Sequence, residues 1–237
     1  MIPYGGIMSF ALFRNLSLAA LGLLAVAIRP ALAQQPPPQP RILHVPSAAS
    51  WQHAATQMIL PPRAAGLERA EVRDGSDAEL DVMAHYVDRP EGVLATVYVF
   101  KTQVPDAALW FDRALHAIPL SPGWSLEAAA PPAPVPFARP GTSVASGLRT
   151  VFAVSAPQFR STALAVAPLG QFLVKVRISA ARLDPAGLDA LLSRFLGDLR
   201  WPAAGAERAA TPIQDCAEPL RLRQARVVWD DMDDVLM

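Results

Sequence analysis

The run Val93-Leu94-Ala95-Thr96-Val97-Tyr98-Val99-Phe100 constrains this chain more than any other stretch. It is rich in β-branched and aromatic residues and apolar at both odd and even positions. A strand sends alternate side chains to opposite faces, so such a run belongs at the centre of a sheet that is covered on both sides. Two further β-patterned stretches precede it, Leu67–Arg73 and Leu80–Val87. The separators Asp74-Gly75-Ser76-Asp77 and Asp88-Arg89-Pro90-Glu91-Gly92 supply turn chemistry.

Strands resume at Val144–Val154, Ser161–Ala167 and Gln171–Ser179, the last two forming a hairpin through Pro168-Leu169-Gly170. Each set of three strands is followed by a helical pattern. Pro105-Asp106 opens the first helix, which runs to about Ile118 before Pro119, with Leu109, Trp110, Ala114 and Ile118 as its buried stripe and Asp112, Arg113 and His116 turned outward. Asp184-Pro185 caps the second, where Leu188, Leu191, Leu192, Phe195, Leu196 and Leu199 keep the helical period up to Trp201-Pro202. Between the two halves, Leu126–Pro140 is Ala/Pro-rich and reads as a long surface excursion. Upstream, a short apolar patch at Ile42–Val45 leads into a Ser/Ala-rich, partly helical segment ending near Met58. Short connections imply antiparallel pairing. The expected fold is α+β, an antiparallel sheet of about six strands with two main helices packed on one face.

The N-terminus supplies an address. Arg14 precedes an apolar run from Leu16 to Ile28, which ends in Ala31-Leu32-Ala33 before Gln34, the pattern of a cleaved secretory signal peptide over residues 1–33. At a rise of ~1.5 Å per residue this run covers roughly 20 Å, short of the ~30 Å hydrocarbon core, so no stable membrane span remains after cleavage. Met8 is an alternative initiator to Met1. The expected location is periplasmic or secreted. Gln34–Pro40 is a Pro/Gln-rich spacer, residues 41–201 form the domain, and residues 202–237 a flexible or loosely docked tail.

Charge and cysteine content narrow the classes. The chain carries 21 basic and 21 acidic residues, and loss of Arg14 and Arg29 with the signal peptide leaves acids in slight excess. That balance gives no bulk attraction to nucleic acid or anionic lipid. Cys216 is the single cysteine, so no intramolecular disulfide forms and stability rests on packing. In its polar, Pro-flanked segment Cys216 reads as a tolerated small residue, with an intermolecular bond as the open alternative; oligomeric state is not encoded in any pattern here.

Two blocks carry a resemblance. Gly66-Leu67-Glu68-Arg69 with Leu80–Tyr86 and Ala95–Phe100 resembles the first half of uncharacterised exported proteobacterial proteins, and Ser161–Leu164 through Phe172–Arg177 their second half. The order of elements is similar to the PsbP/Mog1-type α+β sandwich over about residues 41–201. That resemblance implies a binding or assembly module and brings no catalytic residue with it.

Chemical signatures are sparse. There is no Gly-x-Ser-x-Gly elbow, and His44 with Ser47 or Ser50 is the kind of proximity chance supplies. His44, His53, His85 and His116 are scattered without paired ligand spacing and read as surface histidines, so no catalytic, cofactor or metal residue is assigned. The one local constellation is Lys175 and Arg177, two apart on a strand and therefore on one face together with Gln171 and Leu173. A paired cationic face can hold a carboxylate or an acidic partner, while a solvated face or ion pairs with Glu68, Glu71 or Asp81 are its plainer uses. Trp229 followed by Asp230-Asp231-Met232-Asp233-Asp234 forms an acidic-hydrophobic stretch, either a docking peptide or a solvated tail. The expected function is non-enzymatic binding or assembly with a protein partner in the cell envelope. The alternative is a periplasmic hydrolase or small-ligand binder with its site under the 126–140 loop.

Overall fold

The computed structural model describes residues 40–118, 125–126, 132–203 and 205–213. The signal peptide, nearly all of the spacer, Cys216 and the acidic stretch lie outside the described residues, as does part of the 126–140 loop. The strands are β1 (Arg41–Leu43), β2 (Trp51–Gln52), β3 (Ile59–Leu60), β4 (Arg63–Ala64), β5 (Leu67–Asp74), β6 (Asp81–Asp88), β7 (Val93–Lys101), β8 (Ser125–Leu126), β9 (Val135–Phe137), β10 (Gly147–Ala156), β11 (Phe159–Leu169) and β12 (Phe172–Ala180). The helices are α1 (Ala107–Ala117), after β7, and α2 (Pro185–Asp198), after β12.

A ten-stranded sheet runs β1-β5-β6-β7-β12-β11-β10-β8, with β4 added beside β5 and β9 beside β10, every pairing antiparallel; β2 and β3 pair separately. Two three-strand meanders, β5-β6-β7 and β10-β11-β12, meet through their last strands, with Val97 opposite Val176. The β11–β12 connection is Gly170-Gln171, because Leu169 already pairs with Phe172. Gly170 has φ +64°, which a two-residue hairpin loop needs and most side chains resist.

This architecture corrects the α+β expectation of about six strands. The regular structure is mostly antiparallel sheet with two short helices, so the fold is nearly all-β. The six long strands alternate or run apolar and are readable; β1, β4, β8 and β9 are two or three residues long, too short to carry a period. β2 and β3 likewise replace the partial helix expected before Met58, and β8 and β9 lie in the stretch expected to lack regular structure.

The helices also lie on opposite faces, not one. Even positions of β12 and odd positions of β7 and β11 join α2 through Leu188, Leu191, Leu192, Phe195 and Leu196. The other face of β10–β12 presents Leu148, Leu164, Val166 and Leu173, and these enclose Phe111 of α1. β11 is small or apolar on both faces from Ser161 to Ala167, so a single helix layer cannot bury it. The α1 stripe accordingly runs through Ala107, Phe111 and Ile118, while Leu109 is 48 % exposed, because it sits about 200° round the helix from Phe111 and Ala107. Both helix starts match their signals: Asp106 accepts from the Leu109 N–H and Asp184 from the Gly187 N–H.

Over β5 and β6 the α2-side face is roofed partly by Met58, Leu60 and Ala64 from the N-terminal segment. Tyr86 anchors this junction. Its ring meets Phe195 edge-on at 5.2 Å and its hydroxyl donates to the Pro61 carbonyl at 2.8 Å. No described helix is long and apolar enough to cross a membrane. We expect Phe195→Ala to cost about 3–5 kcal/mol and Tyr86→Phe about 1–2 kcal/mol, read from urea midpoints at unchanged slope. Equal small losses would show that this junction does not hold the roof on the sheet.

Candidate functional site

Covering β10–β12 on both faces leaves most of the α1-side face of β5–β7 without a helix; α1 reaches only the end of β7, where Trp110 meets Phe100 at 4.9 Å. The sheet register places on it two rows of side chains. One row is Glu71, His85, Thr96 and Arg177 on β5, β6, β7 and β12; the next is Arg73, Met83, Tyr98 and Lys175. A central strand whose two faces differ this way also corrects the reading of Val93–Phe100 as apolar on both sides: Val93, Ala95, Val97 and Val99 are core, whereas Leu94 is 40 % exposed.

Lys175 and Arg177 are thus brought to the boundary between the helix-covered and open halves of this face, both half-buried. The Lys175 ammonium lies 3.9 Å from the centre of the Tyr98 ring, a cation–π contact set by their direct pairing across β7 and β12. Burial holds the Lys175 amine below its ordinary value, the like charges of Arg177 and Arg113 add to this, and Asp81 opposes it. Burial also works against the charge of Arg177, with Tyr98 opposing that shift. Of the acids considered as partners, Asp81 acts on Lys175 from β6, Glu71 lies in the Arg177 row, and Glu68 pairs instead with Arg63.

The neighbouring polar groups are linked. His85 Nδ1 is 3.1 Å from Thr96 Oγ1, and its Nε2 is 3.8 Å from Glu71 Oε1. Arg73 Nε sits 2.9 Å from the same Glu71 oxygen, yet off the angle a hydrogen bond needs, so the pair is Coulombic and the N–H is unsatisfied. The Thr96–His85–Glu71 order superficially matches a hydroxyl, a base and an orienting acid. Thr96 lies mid-strand between β6 and β12, however, where backbone N–H groups are committed to ladders and offer no oxyanion hole. The cations on this face, Arg73, Lys175 and Arg177, are of the type that forms charge-assisted bonds with carboxylates.

His44, Ser47 and Ser50 are all exposed, and His116 contacts its own helix at Asp112. His53 departs from the surface reading: it is fully buried, Nε2 2.6 Å from the Glu79 carbonyl and Nδ1 2.8 Å from Thr56 Oγ1, which fixes the loops before β3 and β6. Its sequence neighbours are polar and small, so no local pattern announces that burial. The sequence reading did not include Tyr98, the partner of Lys175, nor Arg73 and His85 on the same sheet face; their alternation with Val97, Val72 and Ala84 was the available signal. Among the described residues no three His, Cys, Asp or Glu side chains are grouped to hold a metal.

A separate cleft of about 960 Å³ opens between the start of α1, the β11–β12 turn and residues 202–211. Its lining includes Thr56, Asp106, Gln171, Arg139 and Glu207, but neither Lys175 nor Arg177. Arg139 and Glu207 form a buried ion pair at 2.5 Å, completed by Ser146 Oγ and the Pro202 carbonyl. Its charges are therefore already matched.

With two lysines in the chain, Lys101 and Lys175, carbon-13 labelling of lysine resolves both titrations. We expect the Lys175 midpoint below 10.5 and expect Arg177→Gln to move it upward. A midpoint at or above 10.5 would show that burial and Arg177 do not act on this amine. Comparison of the chain with protein-family models, with curated proteins and with solved structures finds no match.

Proposed function

We propose that this chain is an exported, non-enzymatic binding or assembly module that receives an acidic protein partner in the cell envelope on its open sheet face. The observation that carries this reading is the pair Lys175 and Arg177, held half-buried on a central strand beside Tyr98 where the opposite face of the same strand is core. Half-burial strengthens a charge-assisted bond relative to open solvent, and a central strand fixes both cations before the partner arrives. The exported location rests on the Leu16–Ile28 run and the Ala31-Leu32-Ala33 cleavage pattern. The PsbP/Mog1-type resemblance supports the same binding role.

The cleft supports a second reading, a small-ligand site at the end of the 126–140 loop, since Arg139 lines it. Its matched ion pair and its Ala, Pro and Gly lining suit an uncharged ligand.

Two measurements test the proposal. Protein recovered from the periplasm is expected to begin at Gln34; an intact N-terminus on cytoplasmic protein overturns the exported location. In affinity capture from envelope fractions, Lys175→Ala with Arg177→Ala is expected to lower partner recovery about tenfold or more, with recovery by the wild-type chain falling as salt rises. Unchanged recovery by the double variant removes this face as the binding surface.

A further inference from the structure

We propose that the acidic segment Asp230–Asp234 docks on the Lys175–Arg177 face of its own chain and competes there with the acidic partner, so that the module is self-occluded until a partner displaces the segment. This rests on the reading of that face as an acid-binding surface.

Three observations favour this occupant. The first is the path of the chain after α2. Arg208 Nη2 reaches Asp106 Oδ2 at the start of α1 (3.4 Å), and the Ala210 N–H donates to the Ala145 carbonyl at 2.8 Å. Ala210 then packs against the cluster of Phe111, Leu164 and Leu173. Leu173 lies on the same face of β12 as Lys175 and Arg177, so Ala210 lies on the side of the sheet where the cations sit. The second is reach. The residues from Ile213 to Trp229 extend up to roughly 53 Å at ~3.3 Å each, against a radius of gyration of ~15 Å for a domain of this size.

The third is charge complementarity. Val227–Met237 holds Asp230, Asp231, Asp233 and Asp234 with no basic residue, and Trp229, Met232 and Val235 among them. The face presents Arg73, Lys175 and Arg177, with Arg113 next to Lys175, against Glu71 and Asp81. Met83, Tyr98 and the exposed Leu94 give it apolar ground between the charges. Tethering multiplies a weak contact: an effective concentration of ~1 mM makes a ~0.1 mM interaction about 90 % occupied.

The lysine content gives a direct test on the full chain. A carbodiimide activates a carboxylate as its O-acylisourea; a neutral lysine amine then attacks the acyl carbon, the urea leaves, and an isopeptide bond forms with no spacer. Lys101, exposed at the end of β7, is the internal control for Lys175. The expected product joins Asp230–Asp234 to Lys175 in clear preference to Lys101, loses yield at high salt, and keeps its yield on tenfold dilution. No link, equal linking to both lysines, or a yield that falls on dilution overturns docking within one chain; the last result means a second copy is the occupant.

A binding measurement separates this proposal from the one beneath it. The probe is a fluorescent synthetic peptide of residues 227–237, titrated with the full chain and with its Asp230→Asn, Asp231→Asn, Asp233→Asn, Asp234→Asn variant. Relief of self-competition predicts about tenfold tighter probe binding by the variant, abolished when Lys175→Ala and Arg177→Ala are added. Equal affinities that still require Lys175 and Arg177 keep the acid-binding face and sink self-docking. Probe binding that ignores Lys175 and Arg177, or no probe binding, sinks both.

Discussion

Six long strands set ~4.8 Å apart make a sheet roughly 24 Å across, while a helix ~10 Å wide covers about two strands of it. With two helices of 11 and 14 residues, this domain cannot cover both faces of its sheet along their whole width. The chain meets the constraint by placing α1 and α2 on opposite faces of the β10–β12 meander, where Leu148, Leu164, Val166 and Leu173 on one side and Ala163, Ala165, Val174 and Val176 on the other need cover. The β5–β7 meander receives a non-helical roof on one face. On the other it carries Glu71, Arg73, His85 and Tyr98, and that polar half is the candidate site.

The non-helical roof depends on a buried cation. Arg69 is 6 % exposed, and its guanidinium donates to the carbonyls of Leu60 at 2.7 Å, Ala49 at 2.6 Å and Pro46 at 3.3 Å. A buried charge is costly unless its donors are met, and here carbonyls from the 46–49 loop and from β3 meet them, so the N-terminal segment and the charge stabilise each other. Burial pushes the Tyr86 phenol well above its ordinary value, with the Arg69 charge opposing, which keeps the hydroxyl protonated as the donor to Pro61. The phenol of the unfolded chain ionises near pH 10, so this contribution is present below that pH and is lost as pH rises past it. Backbone bonds between Ile59 and Arg200 close the roof against the end of α2.

Much of this was legible in the sequence, and the parts that were not have a common cause. Alternating or continuous apolar, β-branched runs of seven or more residues bounded by turn residues located the six long strands, and Asp106 and Asp184 located the helix starts. Strands such as β4 and β9 owe their existence to a neighbour, β5 or β10, and carry no period of their own. Which face a helix takes was equally hidden, because it follows from the second face of β11 rather than from α1 itself. Lys175 and Arg177 were visible as a pair on one strand. Their surroundings were not: Tyr98, Arg73 and His85 come from three other strands, and only the sheet register aligns them.

The position of that pair matters more than its charge. Two cations on an edge strand would be the ordinary solvated guard against edge pairing. Lys175 and Arg177 instead occupy β12, one of the two strands at the centre of the sheet, flanked by Val174, Val176 and Ile178 that are fully in the core. A side chain there has its backbone fixed by ladders to both β7 and β11, so little conformational freedom is lost when a ligand arrives. The α1 layer on one side lowers the dielectric around each charge, and the open half on the other leaves an approach for a carboxylate. A solvated charged face needs neither feature. The combination of a rigid central strand, partial desolvation and an unroofed approach is what the proposed acid-binding role rests on.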